Sequence, residues 1–184
     1  MFEDGYKVKP MSKNDIRKLT DMVRGFFKID PKKPFPVLQF IENVVPECVE
    51  GFTFAILDDN ECEEGLLAGY YPIEKQLRCR QSVYQKAFDG DGASRGHLCH
   101  ELGHIFLHRN QGAVLARGCA GIGQHAKYED SEWQANTFER ELLIPFGQLT
   151  SEMTIDDIAK IYKTSTALAE VAYDRYHKNL WQEI

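Results

Sequence analysis

Three features of the 184-residue chain predict an α+β fold. Several segments repeat apolar residues at helical spacing behind Ser or Thr caps. Three short runs of strand-forming residues cluster between positions 52 and 80. The connections between those runs are short, so they read as a small antiparallel sheet flanked by helices. The length suits one compact domain, taken as residues 1–150 with N-terminal helices, followed by a helical appendage over 151–184 that resembles a helix-turn-helix.

Ser12 caps the first predicted helix, over residues 12–27, where Ile16, Leu19, Val23, Phe26 and Phe27 recur on one side. Pro31, Pro34 and Pro36 interrupt the chain. A short helix over 36–45 is expected to stop at Pro46. Phe52 to Leu57 is the first strand, ending at Asp58-Asp59-Asn60, a turn composition. Leu66 to Tyr71 and Leu77 to Arg80 are the second and third. Ser82 opens a brief helix to Phe88, and a longer helix runs from Ser94 to Arg109. Residues 110–130 hold four glycines and read as a loop. Ser131 is expected to cap a helix through Leu143, which Pro145 stops. Thr154 caps 155–162, and the last helix runs from Ser165 to His177.

Composition excludes several classes. Apolar residues make up 43% and charged residues 27%, which suits a folded domain rather than a disordered or fibrous chain. No apolar run is long enough to cross a membrane, so no membrane partner is expected. The acidic start Met1-Phe2-Glu3-Asp4 carries no apolar signal segment. Five scattered cysteines without a Cys-x-x-Cys pair fit reduced thiols, hence a cytoplasmic location. The net charge of −6 gives no reason to bind nucleic acid. Residues 7–33 are locally basic, with nine Lys/Arg against three Asp/Glu, which reads as a solvated helix face. Residues 150–184 carry four Lys/Arg against six Asp/Glu, so the appendage lacks the basic footprint of a DNA reader.

The chemistry concentrates in one stretch. Five of the six histidines, His97, His100, His104, His108 and His125, lie between positions 97 and 125. Among them His100-Glu101-Leu102-Gly103-His104 forms an H-E-x-x-H motif. Mid-helix, residues four apart share a face, so both imidazoles can reach one Zn²⁺ ion. Glu101 would then act as general base toward a metal-activated water and pass the proton to the leaving amine. A third ligand is needed. The spacing that would supply another histidine on an extended motif meets Leu107 and Asn110 instead. His108 is a further turn along and rotated away from the His100 direction, which suits a supporting contact better than ligation. Glu132 is the preferred ligand, because Gly103 and Ala135 are small enough to let two helices approach. Glu129, Asp130 and His125 are its rivals. His125 and Tyr128 could reach over the metal and stabilise an oxyanion. Cys99 and Cys119 read as buried bystanders.

Three blocks carry a resemblance. They are Val83-Tyr84-x-x-Ala87-x-x-Gly90-x-Gly92-x-x-Arg95, His100-Glu101-Leu102-Gly103-His104-x-x-x-His108, and Glu132-x-Gln134-Ala135-Asn136-x-Phe138-x-x-Glu141-Leu142-Leu143-x-Pro145. Over residues 83–145 the chain resembles the ImmA/IrrE family of zinc metallopeptidases. The resemblance implies a zincin-like core, Zn²⁺ as cofactor, and Glu132 as third metal ligand. It also implies a bacterial, phage or mobile-element protein that cleaves a helix-turn-helix repressor, often encoded beside it, and so relieves repression of phage, mobile-element or stress genes. His97 stands where the family usually has Thr, and Glu139-Arg140 where small residues are usual, which bears on the cleft wall. The chain is too short for the sensor domain of the IrrE branch, so sensing by such a domain is not expected. The alternative function is a metal-stabilised binding module that sequesters the repressor without cutting it. A peptidase of small peptides is a third reading.

Overall fold

The computed structural model describes residues 5–108 and 126–178. Helix α1 (Lys13–Phe26) begins at a reciprocal cap: the Ser12 hydroxyl accepts from the Asp15 N–H, and the Asp15 carboxylate accepts from the Ser12 N–H, each at 3.2 Å. Its basic side does not simply face water. Arg24 is buried and donates to the carbonyls of Leu142 (2.8 Å) and Leu143 (3.3 Å), which end a distant helix and need partners. Arg17 grips the buried Glu141 through two nitrogens, at 2.7 and 3.1 Å.

Pro46 does not end a helix. Helix α2 (Val37–Asn43) stops before it, and a short α3 (Val45–Cys48) holds Pro46 in its first turn, where a missing N–H leaves nothing unpaired.

The strands are β1 (Thr53–Leu57), β2 (Ala68–Tyr71) and β3 (Gln76–Arg80), in the order β1-β3-β2. β2 and β3 are antiparallel, but β1 and β3 are parallel, so the expected antiparallel sheet is in fact mixed. A short connection enforces antiparallel pairing only between strands that become neighbours. The chain from β1 passes over one strand position to β2, and the tight turn at Lys75 (φ 51°) sends β3 back into the gap. Leu77 and Cys79 of this central strand point into the core.

Helix α4 (Gln81–Phe88) leads to α5 (Gly92–His108), the longest described helix and the middle of the molecule. Its Leu98, Leu102 and Ile105 are fully buried. Helix α6 (Ser131–Leu143) packs along α5. Its cap is Asp130 rather than Ser131: the Asp130 carboxylate accepts from the Trp133 N–H at 2.7 Å. Helices α7 (Ile155–Tyr162) and α8 (Thr166–His177) start at Thr154 and Ser165. Ile158, Tyr162 and Ala169 belong to the same apolar cluster as Ile16, Phe35, Leu77, Leu98 and Phe138. Two close contacts fasten the α7–α8 turn to α5. Arg95 donates to the Lys163 carbonyl at 2.9 Å, and a β-carbon on Gly92 would fall 2.1 Å from the Thr164 carbonyl carbon.

Candidate metal centre

Helices α5 and α6 touch where side chains are smallest, with Gly103 against Ala135. That contact brings one face of α5 opposite the first turn of α6. His100 and His104, four residues apart, project from α5, and Glu132 projects from α6. Their Nε2 atoms are 3.0 Å apart, and Glu132 sends one oxygen to each, Oε2 to His100 at 3.0 Å and Oε1 to His104 at 3.2 Å. One donor atom from each residue lies within 4.8 Å of the others. Donors about 2 Å from a tetrahedral ion stand roughly 3.3 Å apart, so this set fits a divalent cation and leaves a fourth corner open. Burial alone would raise the Glu132 pKa and lower that of His100. Their mutual hydrogen bonds outweigh it, so Glu132 lies well below the carboxylate range and His100 above its ordinary value. A cation would compete with protons for these atoms.

The opposite ring nitrogens are tied down too. His100 Nδ1 meets Asn136 Oδ1 at 3.2 Å. His104 Nδ1 meets His108 Nδ1 at 3.2 Å, and His108 Nε2 meets Gln134 Oε1 at 3.0 Å. The Gln134 amide nitrogen donates to the carbonyls of Lys9 and Tyr128, both at 2.8 Å. The amide orientation therefore assigns every proton along the row. Gln134 Oε1 accepts from His108 Nε2–H, His108 Nδ1 accepts from His104 Nδ1–H, and His104 Nε2 keeps its lone pair for a cation. Burial first, and His104 nearby, push the His108 pKa down to about 4 despite the Gln134 contact, which keeps that ring neutral.

Glu101 stays outside this trio. One of its carboxylate oxygens accepts from the Tyr70 N–H of the edge strand β2 at 2.7 Å. Burial raises its pKa, against the lowering pull of both ligand-face histidines and the Tyr70 N–H. It lines a recess of about 370 Å³ together with His100, His104, His108, Glu132 and Tyr6. A carboxylate beside an open cation corner, with one oxygen oriented by backbone, is placed to take a proton.

Tyr6 is the residue that sequence reasoning missed. Residues 6–11 form a strap along 128–131: Tyr6 N–H donates to Ser131 Oγ (3.1 Å), Ser131 N–H to the Tyr6 carbonyl (3.1 Å), and Val8 N–H to the Glu129 carbonyl (2.8 Å). Gly5 lies so close that a β-carbon there would fall 2.7 Å from the Glu132 nitrogen. The Tyr6 ring consequently stands edge-on to His108 with centroids 5.9 Å apart. Burial, then Glu132 and Glu101, push its phenol up to about 12, so it remains a hydrogen-bond donor. No sequence signal links positions 6 and 132.

The other named residues sit elsewhere. Tyr128 is half exposed and lines a separate apolar recess with Pro10, Met11 and Trp133, so its ring does not reach the cation face. Its carbonyl, not its phenol, serves the site. Asp130 is spent on the α6 cap, and Glu129 pairs with Lys7 at 3.4 Å. His125 and Cys119 lie outside the described residues. Cys99 is buried, and burial raises its pKa, as expected of an inert thiol. His97 and Glu139 line a second recess that also reaches His100 and Glu132.

An α+β core in which one helix carries His-Glu-x-x-His and a second helix closes the donor set with a carboxylate is the build of a metal-dependent peptidase. The model of the peptidase family described as the IrrE N-terminal-like domain (Peptidase_M78) matches residues 76–172, more than half of the chain, and the chain belongs to that family. The match runs from β3 through most of α8 and so contains His100, Glu101, His104 and Glu132. No curated protein matches the chain.

Proposed function

We propose that the chain is a zinc-dependent endopeptidase of the gluzincin type, acting in the cytoplasm. Its substrate on this reading is a helix-turn-helix repressor, and cleavage relieves repression of phage, mobile-element or stress genes. The observation that carries the catalytic part is the convergence of His100 Nε2, His104 Nε2 and the Glu132 carboxylate beside Glu101. Two imidazoles and a carboxylate are a donor set that favours Zn²⁺. The repressor as substrate rests on the resemblance of the His100 and Glu132 blocks. Five scattered cysteines without a Cys-x-x-Cys pair support a reducing compartment.

Bound zinc supplies a Lewis acid that polarises the scissile carbonyl and makes water acidic near neutral pH. The protein residues do the rest. Glu101, oriented by the Tyr70 N–H, takes one proton from the attacking water while the oxygen bonds to the carbonyl carbon. Tyr6 donates a hydrogen bond to the oxygen that becomes negative. Glu101 then gives its proton to the amide nitrogen as the C–N bond breaks, and the new carboxyl group's proton passes to the released amine, leaving a carboxylate and an ammonium.

The test is to mix the chain with the helix-turn-helix protein encoded beside its gene, with zinc or with chelator, and to identify fragments by mass spectrometry. Fragments are expected only with metal, and Glu101→Gln should bind zinc yet release none. Cleavage that survives Glu101→Gln with zinc bound overturns the mechanism. A stable complex without fragments replaces it with sequestration, and turnover of short peptides alone replaces the substrate.

A further inference from the structure

Beyond the ligand cluster, the metal face opens into a second recess of about 700 Å³ between the first half of α5 and the middle of α6. His100 and Glu132 form one end of it, so whatever enters lies next to the reacting bond. One wall carries almost no side chains, being built from Gly92, Ala93 and Gly96. Glu139 reaches this wall from α6. It packs so tightly on α5 that a β-carbon on Gly96 would meet its Oε1 at 2.7 Å.

The Glu139 side chain is largely but not fully enclosed, and among the described residues no hydrogen bond or ion pair reaches its carboxyl. The adjacent cation, Arg140, instead donates to Thr137 Oγ1 at 3.0 Å. Burial pushes Glu139 up to about 7, with His100 and Arg140 offsetting only part of the cost. A carboxylate largely removed from water and without a protein partner is unfavourable. A carboxyl aimed into a solvent-filled recess gains a partner when a cation enters. Metal ligation does not explain it, since the ligand set is complete without Glu139. Nor does packing: an apolar side chain would cover Gly96 without the desolvation cost.

We propose that this recess is a substrate subsite for a positively charged side chain, arginine or lysine, on a residue near the scissile bond, with Glu139 as the carboxylate that recognises it. The inference deepens the peptidase reading and rests on it for the position of the scissile bond. The recess has room for a long side chain beside Ala93 and His97, and the Glu139 carboxyl meets its guanidinium or ammonium. A planar guanidinium can engage both oxygens, which favours arginine.

The test titrates the full chain, in zinc-containing buffer, with N-acetyl-arginine amide and with its neutral counterpart N-acetyl-citrulline amide. NMR follows the amides of Gly96, His97 and Ser165. Arginine amide should shift these signals saturably and bind about tenfold more tightly than citrulline amide, the scale of one charge-assisted contact. The difference should vanish in Glu139→Gln. Equal binding of both probes, no saturable shift with either, or an arginine preference that survives Glu139→Gln overturns the proposal. The two-probe comparison in the wild type needs no variant. Neither probe has to be cleaved, so failure of hydrolysis removes the peptidase reading without blurring this result.

Discussion

Gly103 and Ala135 are the point on which the two ligand-bearing helices close: a β-carbon on Gly103 would sit 2.9 Å from the Ala135 Cα and 3.2 Å from its carbonyl oxygen. Backbone, unlike a flexible side chain, cannot give way at such a distance. Gly103→Ala should therefore push α5 and α6 apart, although alanine is the better helix former by roughly 1 kcal/mol. A loss of about 1–3 kcal/mol in stability is expected from the overpacking. Zinc affinity should fall at least about tenfold, because the Glu132 carboxylate leaves the two imidazoles. Thermal unfolding and competition with a chromogenic chelator measure the two effects.

The row from His104 through His108 to Gln134 acts on the metal without touching it. His108→Phe keeps an aromatic ring in the same buried place but removes the acceptor for His104 Nδ1–H. Zinc affinity should drop about 10- to 100-fold, with the far-ultraviolet circular dichroism unchanged. Gln134→Leu should produce a smaller loss, since His108 then loses the partner that sets its tautomer. Unaltered zinc affinity in both variants would mean that the row is only packing.

Tyr6→Phe removes one hydroxyl from the recess. If that phenol steadies the oxyanion, kcat should fall about 100-fold while KM and zinc affinity stay near the wild-type values. A transition-state mimic with a tetrahedral phosphorus should lose affinity by the same factor. A variant with full kcat would reduce Tyr6 to a wall of the cleft.

Glu139 also predicts a pH signature. Its pKa rises from about 4.5 in the unfolded chain to about 7 in the folded protein, so between these values the folded protein holds the extra proton. Stability contributed by the protonated form is complete below about 4.5 and is lost as pH rises through about 7. Replacement by Gln, which cannot ionise, should leave stability nearly unchanged at the acid end and raise it above pH 7. Melting temperatures of wild type and Glu139→Gln should therefore diverge with rising pH. Parallel curves would show that Glu139 is solvated.

What could be read without coordinates was whatever repeats over a few residues. The caps at Ser12, Thr154 and Ser165 involve side chains three positions from their partners, and structure and expectation agree there. The likeness of His100 and His104 in direction follows from the pitch of one helix. The close approach of Gly103 to Ala135 was legible because small residues are needed wherever two helices nearly touch.

What the sequence alone determined is therefore local: helix faces, most caps, the pair of imidazoles with a carboxylate between them, and an α+β composition of elements. The tertiary structure decided the rest. It put β3 between β1 and β2, which turned an expected antiparallel sheet into a mixed one. It spent Arg24 on the end of a helix more than a hundred residues away, exchanged Ser131 for Asp130 as a cap, and sent Tyr128 outward while a strap from the N-terminus brought Tyr6 in. The reason is physical. A helix or turn satisfies its own backbone through neighbours in the chain, and those neighbours are visible in the sequence. Partners 125 residues apart, such as Tyr6 and Ser131, meet only after the core has chosen which surfaces to bury.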